Sequence, residues 1–253
     1  MACNGNLLFH YTTLDNAVKI ILTNSLLFGS FKDMNDISES KRIVLSEIGF
    51  ERGEKILSEY QAICFTCDNA DCRGFAIDCL WGYYAEKGVG VCLVFDRNAL
   101  LPIYDEKFRE DGFPKELSIR YIDENSNLVP LKGANEEEIK RDLLTKIGDV
   151  FYTKDKCWEH ENELRLIAHS SKQLALPLGD SLTGAIFCSL READYHDCLQ
   201  YRLLSELTKL RKFRIYHYES SLGNKELQHD DDIVWPVYGR DFNHDEDGLI
   251  PKV

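Results

Sequence analysis

The sequence lacks any run of apolar residues that approaches the roughly 18 needed to span a bilayer. Residues 1–6 also lack the basic flank of a signal peptide, so we expect a cytoplasmic protein with no membrane partner. The 253 residues are 44% hydrophobic and 29% charged, which is typical of a globular protein with a sizeable core. We interpret residues 1–253 as one domain, with a core at about 7–218 and an acidic extension at 219–253. Two small domains are the alternative.

The chain has too little positive charge for a general nucleic-acid-binding surface. Its formal net charge is −13, whereas affinity for duplex DNA or RNA requires clustered Lys and Arg that displace counterions. We therefore expect no general nucleic-acid binding. A local basic groove around Lys209 to Arg214 is the weaker alternative.

Several signatures of common enzyme classes are absent from the sequence. It has no Gly-rich phosphate loop after a strand, no G-x-S-x-G elbow and no H-E-x-x-H pair. Dinucleotide-fold dehydrogenases, P-loop enzymes, α/β-hydrolases and zincins are thereby excluded.

The nine cysteines do not form a regular metal-binding pattern. Cys64, Cys67, Cys72 and Cys79 include a single close pair, whereas zinc sites usually combine two such pairs. Structural thiols are therefore favoured over a metal site. The acidic tracts at 229–232 and 244–247 lack the ligand alternation and central Gly of a calcium loop, so no metal is expected.

Helical and extended patterns alternate along the chain without repeats, which predicts an α+β fold. A first strand at 7–11 precedes a helix capped by Thr12 or Thr13, and Asn135 caps a later helix whose apolar stripe runs to Phe151. Polar residues from about 40 to 59 and amphipathic residues at 193–212 predict two further helices. The apolar runs 62–66 and 90–95 are predicted to be neighbouring strands of a buried sheet.

The segment from Trp158 to Leu166 is the strongest candidate for a site of chemistry. If it is a strand, Glu161, Glu163 and Arg165 share one face, because side chains alternate along a strand. Two carboxylates and a guanidinium are costly to bury, and such an arrangement is tolerated most readily where the charges have a function. A surface ladder of ion pairs is the structural alternative.

Six short motifs occur in the same order as in a widespread bacterial family of unassigned function. They are F-H-Y-T at Phe9–Thr12, N-D at Asn35–Asp36 with Glu39, C-F-T at Cys64–Thr66, W-x-x-Y-A at Trp81–Ala85, G-V-x-V-C at Gly88–Cys92 and W-x-x-E-x-E-x-R-L at Trp158–Leu166. On these motifs the chain resembles that family, which looks like a distant branch of the ADP-ribosyltransferase superfamily. The resemblance covers roughly residues 7–218.

The resemblance implies a split β-sheet core with flanking helices that binds NAD. By this resemblance Glu163 is the catalytic carboxylate, and Glu161 orients the acceptor. The residues that it assigns to NAD binding are His10 at the adenosine ribose, Tyr11 and Thr12 beside it, Thr66, Trp81, Tyr84 (or Tyr83) near nicotinamide, and Arg165. Instead of an S-T-S strand the chain has Cys64-Phe65-Thr66, and Arg165 is alternatively a partner of Glu161 or Glu163.

The resulting hypothesis is an NAD-consuming enzyme that transfers ADP-ribose to a protein or nucleic-acid acceptor, or hydrolyses NAD, and that acts as a bacterial toxin or phage-defence effector. One alternative is a non-catalytic sensor or adaptor that binds a nucleotide or a protein. Another is a metal-dependent nuclease or phosphotransferase that uses Glu161 and Glu163.

Overall fold

A computed structural model describes residues 5–31, 34, 43–44, 48–70, 72–114, 117–123, 129–188, 199–211, 213–221, 224–229 and 234–236. Helices and strands alternate along these residues, which confirms the predicted α+β class. The N-D motif at Asn35–Asp36, the acidic tract at 244–247, most of the predicted helix between 40 and 49, and residues 193–198 lie outside the described residues.

The α-helices of the described residues are α1 (Leu14–Thr23), α2 (Phe50–Leu57), α3 (Asp78–Tyr84), α4 (Arg97–Lys107), α5 (Glu136–Thr145), α6 (Ile147–Phe151) and α7 (Leu199–Arg211), with 3-10 helices at Glu86–Gly88 and Lys156–Glu161. The strands are β1 (Leu7–Thr12), β2 (Ser25–Leu27), β3 (Gly29–Ser30), β4 (Ile43–Val44), β5 (Tyr60–Cys67), β6 (Val91–Asp96), β7 (Arg120–Ile122), β8 (Val129–Pro130), β9 (Thr153–Asp155), β10 (Glu163–His169), β11 (Ala175–Pro177), β12 (Leu182–Cys188), β13 (Arg214–Ser221), β14 (Asn224–His229) and β15 (Val234–Pro236). No described helix has both the length and the apolar character needed to cross a membrane.

The chain divides into two compact units, each assembled from separated segments. Unit 1 contains Leu26–Cys64 and Ile103–Leu176, and unit 2 contains Ala2–Ser25, Phe65–Pro102 and Pro177–Val253. Strand β5 therefore begins in unit 1 and ends in unit 2.

The sheet of unit 2 is mixed and is centred on β1 and β6. These two strands pair antiparallel along their whole length, from Leu7 opposite Asp96 to Thr12 opposite Val91. Strand β12 pairs antiparallel with the other edge of β6, and β13 runs parallel to β12. Strands β14 and β15 continue the sheet as an antiparallel extension.

The predicted pairing of the two apolar runs, 62–66 and 90–95, is wrong. The end of β5 pairs instead with β1, where Cys67 lies opposite Leu8 and Thr66 opposite Phe9. Strand β1 thus lies between the end of β5 and β6. Both runs are buried as predicted. Burial alone does not specify the neighbour of each strand, because an apolar strand can occupy any central position of a buried sheet.

Helix α1 begins and ends with capping geometry that its sequence encodes. The side chain of Thr13 accepts a hydrogen bond from the backbone N–H of Asn16 at 3.1 Å, which selects Thr13 over Thr12 as the cap. At the other end, Asn24 takes a left-handed conformation with φ of 50°. Buried residues between the two caps include Ala17 and Ile21, so the helix covers the core of unit 2 with one face.

Unit 1 contains β10, which pairs with β5, and β3, which pairs with the first part of β5 through Gly29 opposite Ala62. Two short parallel pairs, β4 with β8 and β7 with β9, also belong to unit 1. The side chain of Asn135 caps α5 by accepting from the N–H of Glu138 at 3.0 Å, as predicted. The predicted apolar stripe is buried, but it is divided between α5 and α6.

Candidate active site

Four charged side chains meet in the interior of unit 1. Lys154, Glu161, Glu163 and Arg165 are each at most 5% exposed, and together they carry two positive and two negative charges. Burying an ion is costly unless it is paired and hydrogen-bonded, and each member of this quartet has a partner of opposite charge inside it. We refer to Lys154, Glu161, Glu163 and Arg165 as the charge quartet.

The prediction that Glu161, Glu163 and Arg165 share one face of a strand is wrong for Glu161. Glu161 is the last residue of a 3-10 helix that begins at Lys156, and β10 begins only at Glu163. Between them, Asn162 adopts a left-handed conformation with φ of 42°, which turns the chain from helix to strand. Glu161 therefore reaches the quartet from the end of a helix, whereas Glu163 and Arg165 reach it from β10.

Arg165 fixes the carboxylate of Glu163 on two sides. Its Nε donates to Oε1 of Glu163 at 2.6 Å, and a terminal nitrogen donates to Oε2 at 3.2 Å, a bidentate arrangement that a guanidinium fork favours. The other terminal nitrogen donates to the carbonyl oxygen of Phe151 at 2.7 Å. The guanidinium carbon also lies 5.8 Å from the ring centre of Phe31. Arg165 is thus held in place by contacts independent of Glu163.

Lys154, on β9, joins the two carboxylates. Its Nζ donates to Oε2 of Glu161 at 2.5 Å and to Oε2 of Glu163 at 3.2 Å. The same ammonium lies 4.8 Å from the ring centre of half-buried Trp158, which stacks on exposed His160. The shorter contact is to Glu161, so the lysine is bound more closely to the helix-end carboxylate than to the strand carboxylate.

The electrostatic balance keeps Glu163 ionised. Burial by itself raises the pKa of this carboxyl, but Arg165 first and Lys154 second outweigh it and lower the pKa from 4.5 to about 2. The thiol of Cys64 also donates to Glu163, and partial burial together with this carboxylate raises the pKa of Cys64 well above its usual value. Glu163 is therefore an anion across the physiological range.

The hydrogen-bonding capacity of Glu163 is filled within unit 1. A carboxylate offers about four lone-pair positions. Arg165 occupies two, Lys154 one and Cys64 one. A substrate hydroxyl that binds Glu163 must therefore displace one of these donors, and the ammonium of Lys154 at 3.2 Å makes one of the longest contacts.

Backbone contacts hold the start of β10 on a fixed path. The N–H of Glu163 donates to the phenol oxygen of Tyr121 at 2.8 Å, and its carbonyl accepts from the N–H of Ile119 at 2.9 Å. The N–H of Arg165 donates to the carbonyl of Leu117 at 2.8 Å. Burial, followed by the Glu163 charge, raises the pKa of Tyr121, so its phenol stays protonated. The carboxylate is thus preorganised by both its side-chain and its backbone neighbours.

Residues 80–166 match a family model described as "Protein of unknown function (DUF2971)". The matched region is about a third of the chain and includes Trp81 and Tyr84 as well as Glu161, Glu163 and Arg165. No curated protein and no solved structure matches the chain. Because the family description names no activity, the resemblance to ADP-ribosyltransferases stays a prediction.

The predicted NAD-binding residues of β1 and β5 lie in unit 2. His10 is half-buried, with its ring 5.8 Å from that of Phe65. Tyr11 is a core residue, and its hydroxyl donates to the carbonyl of Gly74 at 2.7 Å. Thr12 and Thr66 are buried. Of these four side chains, His10 thus has the largest accessible surface for a ligand.

The predicted aromatic residues of α3 also belong to unit 2, and they differ in exposure. Trp81 is buried, packs edge-on against Tyr11 at 5.1 Å, and donates from Nε1 to the carbonyl of Phe75 at 2.8 Å. Tyr84 is half-buried, whereas Tyr83 is 61% exposed. Trp81 therefore has a packing role with its polar group already satisfied, and the two tyrosines keep surface that a ligand can contact.

The structure therefore brings together the three predicted residues of unit 1, Glu161, Glu163 and Arg165, whereas the six others belong to unit 2. Sequence reasoning missed Lys154, the partner shared by both glutamates. A lysine inside the short strand T-K-D, directly before the charged segment, was the available signal. It carried little weight, because an isolated lysine in a short strand is usually exposed.

The described residues contain no group of three or more His, Cys, Asp or Glu side chains that could hold a metal ion. Between the two carboxylates of the quartet, the position of a cation is taken by the ammonium of Lys154. This arrangement argues against the alternative of a metal bound by Glu161 and Glu163.

Proposed function

We propose that this protein is an NAD-consuming enzyme of the ADP-ribosyltransferase type, in which Glu163 is the catalytic carboxylate. The observation that carries the proposal is the ionised, rigidly held carboxylate of Glu163 at the first residue of β10, with its pKa lowered to about 2. It lies within the motif on which the resemblance to the superfamily depends. The acceptor is a protein, a nucleic acid or water.

The chemistry of NAD cleavage requires a fixed negative charge. Nicotinamide leaves as a neutral molecule from a cationic ring, and the ribose that remains develops positive charge at C1. An anionic carboxylate stabilises that charge and accepts a hydrogen bond from the ribose 2′-hydroxyl, and no proton donor is needed for the leaving group. Preorganised groups of this kind contribute on the order of 3 to 4 kcal/mol each to a transition state.

The route for substrate contact follows from the occupied lone pairs of Glu163. The bidentate contact with Arg165 is supported by the Phe151 carbonyl, whereas Lys154 has a second and shorter contact with Glu161. Lys154 can therefore leave Glu163 without losing all of its charge pairing. A ribose hydroxyl would then take the position of the ammonium on Oε2.

The test is release of nicotinamide from NAD, measured for the wild type, Glu163→Gln and His10→Ala. We expect Glu163→Gln to lower kcat on the order of a hundredfold, the scale found for removal of one preorganised electrostatic group. We expect His10→Ala to raise the apparent KM for NAD more than it lowers kcat. The exposed variant Lys55→Met, which breaks a surface ion pair with Glu136, is the matched control and should leave turnover unchanged.

A second candidate function is binding without catalysis, and it is favoured by the fact that the lone pairs of Glu163 are already occupied by other side chains. If Arg165, Lys154 and Cys64 keep their positions on Glu163, the quartet serves only to hold unit 1 together, and the protein binds a nucleotide without turnover. This reading predicts no nicotinamide release and a rise in melting temperature with NAD, because a ligand that binds the folded state stabilises it. A wild type with neither turnover nor stabilisation by NAD would contradict both candidates.

A further inference from the structure

We infer that Lys154 is a positioning residue of this site, holding Glu161 and Glu163 in one arrangement by sharing its ammonium between them. The inference rests on the proposed function, since it assigns Lys154 a role in the same reaction. It concerns a residue that lies outside the motif containing Glu161, Glu163 and Arg165.

The backbone around Lys154 holds its ammonium close to both glutamates. Lys154 lies on β9, Glu161 ends a 3-10 helix and Glu163 starts β10, so three separate elements converge on one nitrogen atom. Strand β9 is fixed by parallel pairing with β7, in which Tyr121 is opposite Lys154. The phenol of Tyr121 in turn accepts from the N–H of Glu163. The backbone thus fixes the distance between the lysine and β10.

The ammonium of Lys154 also reduces the repulsion between the two glutamates. Glu161 and Glu163 are two residues apart, and two buried anions so close repel one another unless a cation lies between them. Arg165 binds Glu163, and Lys154 contacts both carboxylates. Removing the ammonium changes the formal charge of the quartet from zero to −1 and takes one cation from each of the two glutamates. We expect Glu161 to turn towards solvent in that case, while Glu163 keeps its contact with Arg165.

Lys154 has two carboxylate contacts, one to Glu161 and one to Glu163. Because of this double contact, Lys154 can remain bound to Glu161 while a substrate hydroxyl replaces it on Glu163. The face of Trp158, 4.8 Å from Nζ, gives the ammonium a further favourable contact during this shift. Lys154 would thus adjust the site without touching the reacting atoms itself.

The experiment compares Lys154→Met, Lys154→Arg and the double variant Lys154→Met/Glu161→Gln. The double variant removes one charge of each sign, so the remaining Glu163 and Arg165 stay neutral as a pair and the fold is protected from an uncompensated buried anion. We expect kcat for nicotinamide release to fall at least tenfold in Lys154→Met and in the double variant, with KM for NAD changed less than threefold. Lys154→Arg should recover part of kcat, because it restores the charge.

A second readout does not depend on NAD. Titration of the Glu163 carboxyl by 13C NMR, assigned with Glu163→Gln, should show a midpoint about one pH unit higher in Lys154→Met than in the wild type, because one of its two cations is gone. Lys55→Met is the matched control, since it also removes a lysine from an ion pair but at the surface.

The two readouts separate failure of the inference from failure of the proposed function. An unchanged Glu163 midpoint in Lys154→Met, or wild-type kcat and KM in the double variant, would overturn the role of Lys154. A wild type that releases no nicotinamide would instead overturn the proposed function, and with it the assignment of Lys154 to this reaction. A raised midpoint would then establish only a structural coupling of Lys154 to Glu163.

Discussion

The charge quartet should make the stability of the protein depend on pH in a way that one substitution removes. Glu163 has a folded-state pKa of about 2 against an ordinary value of 4.5. A carboxyl whose pKa is lowered by folding stabilises the folded state above its unfolded pKa, and this contribution is lost as the pH falls through the folded pKa. The shift corresponds to about 3 kcal/mol of unfolding free energy at pH 7, and the loss should occur between about pH 4.5 and about pH 2.

Glu163→Gln is the perturbation that tests this coupling, because it removes the charge with little change of volume. At pH 7 we expect the variant to be less stable by about 3 kcal/mol, which for a chain of this length lowers the melting temperature by about 6 to 12 °C. In this variant Arg165 and Lys154 share one buried anion, Glu161, instead of two. Removal of one partner from a buried ion pair lowers the free energy of unfolding by about 3 to 5 kcal/mol, which is of the same order. The difference between wild type and variant should shrink below about 1 kcal/mol near pH 2.

Thermal unfolding followed by circular dichroism from pH 7 down to pH 2 measures this difference directly. Glu136→Gln is the matched control: its pKa is also lowered by a lysine, Lys55, but the pair is exposed to solvent. We expect no measurable change in melting temperature for the control. Equal stability of Glu163→Gln and wild type at pH 7, or a difference that persists at pH 2, would refute the assignment of a strongly coupled, ionised carboxylate.

Two further predictions concern unit 2. Gly90→Ala places a Cβ 2.3 Å from the carbonyl oxygen of Thr12, so we expect urea unfolding to show a free energy of unfolding lower by about 1 to 3 kcal/mol. Gly82→Ala, in α3 with no neighbour within 4 Å of the added Cβ, should raise the free energy of unfolding by about 0.5 to 1 kcal/mol. A Gly90→Ala protein as stable as the wild type would contradict the close approach of Gly90 to Thr12. Tyr218→Phe removes the hydrogen bond from a fully buried hydroxyl to Asp78 at 2.8 Å and should cost about 1 to 3 kcal/mol by the same measurement, with exposed Tyr83→Phe as a near-neutral control. Equal losses in the two tyrosine variants would count against that hydrogen bond.

Local signals predicted the local structure well. The caps at Thr13 and Asn135 form the hydrogen bonds that their side chains favour, and the apolar stripe that ends at Phe151 is buried. Each of these features depends on residues within a few positions of one another, and the sequence displays such spacing directly. Strand β1, by contrast, was expected at the correct residues but its neighbours were not, because strand order is determined by contacts far apart in sequence.

Three members of the charge quartet were identified from the sequence, but on a wrong prediction of their local structure. The spacing of Glu161, Glu163 and Arg165 suggested a single strand face, yet Asn162 breaks the strand pattern with a left-handed turn. The glutamates still converge, since Lys154 on another element attracts both. The identity of that lysine was not predictable from spacing. An ion pair across 7 or 9 residues in an irregular segment has no fixed period, unlike an i, i+4 pair on a helix.

The most direct test of the proposed function is a crystal structure of the protein with a hydrolysis-resistant NAD analogue. We predict that the 2′-hydroxyl of the nicotinamide ribose lies within hydrogen-bonding distance of the Glu163 carboxylate, with the ammonium of Lys154 shifted towards Glu161. An analogue bound elsewhere, with Arg165, Lys154 and Cys64 still occupying every lone pair of Glu163, would contradict it.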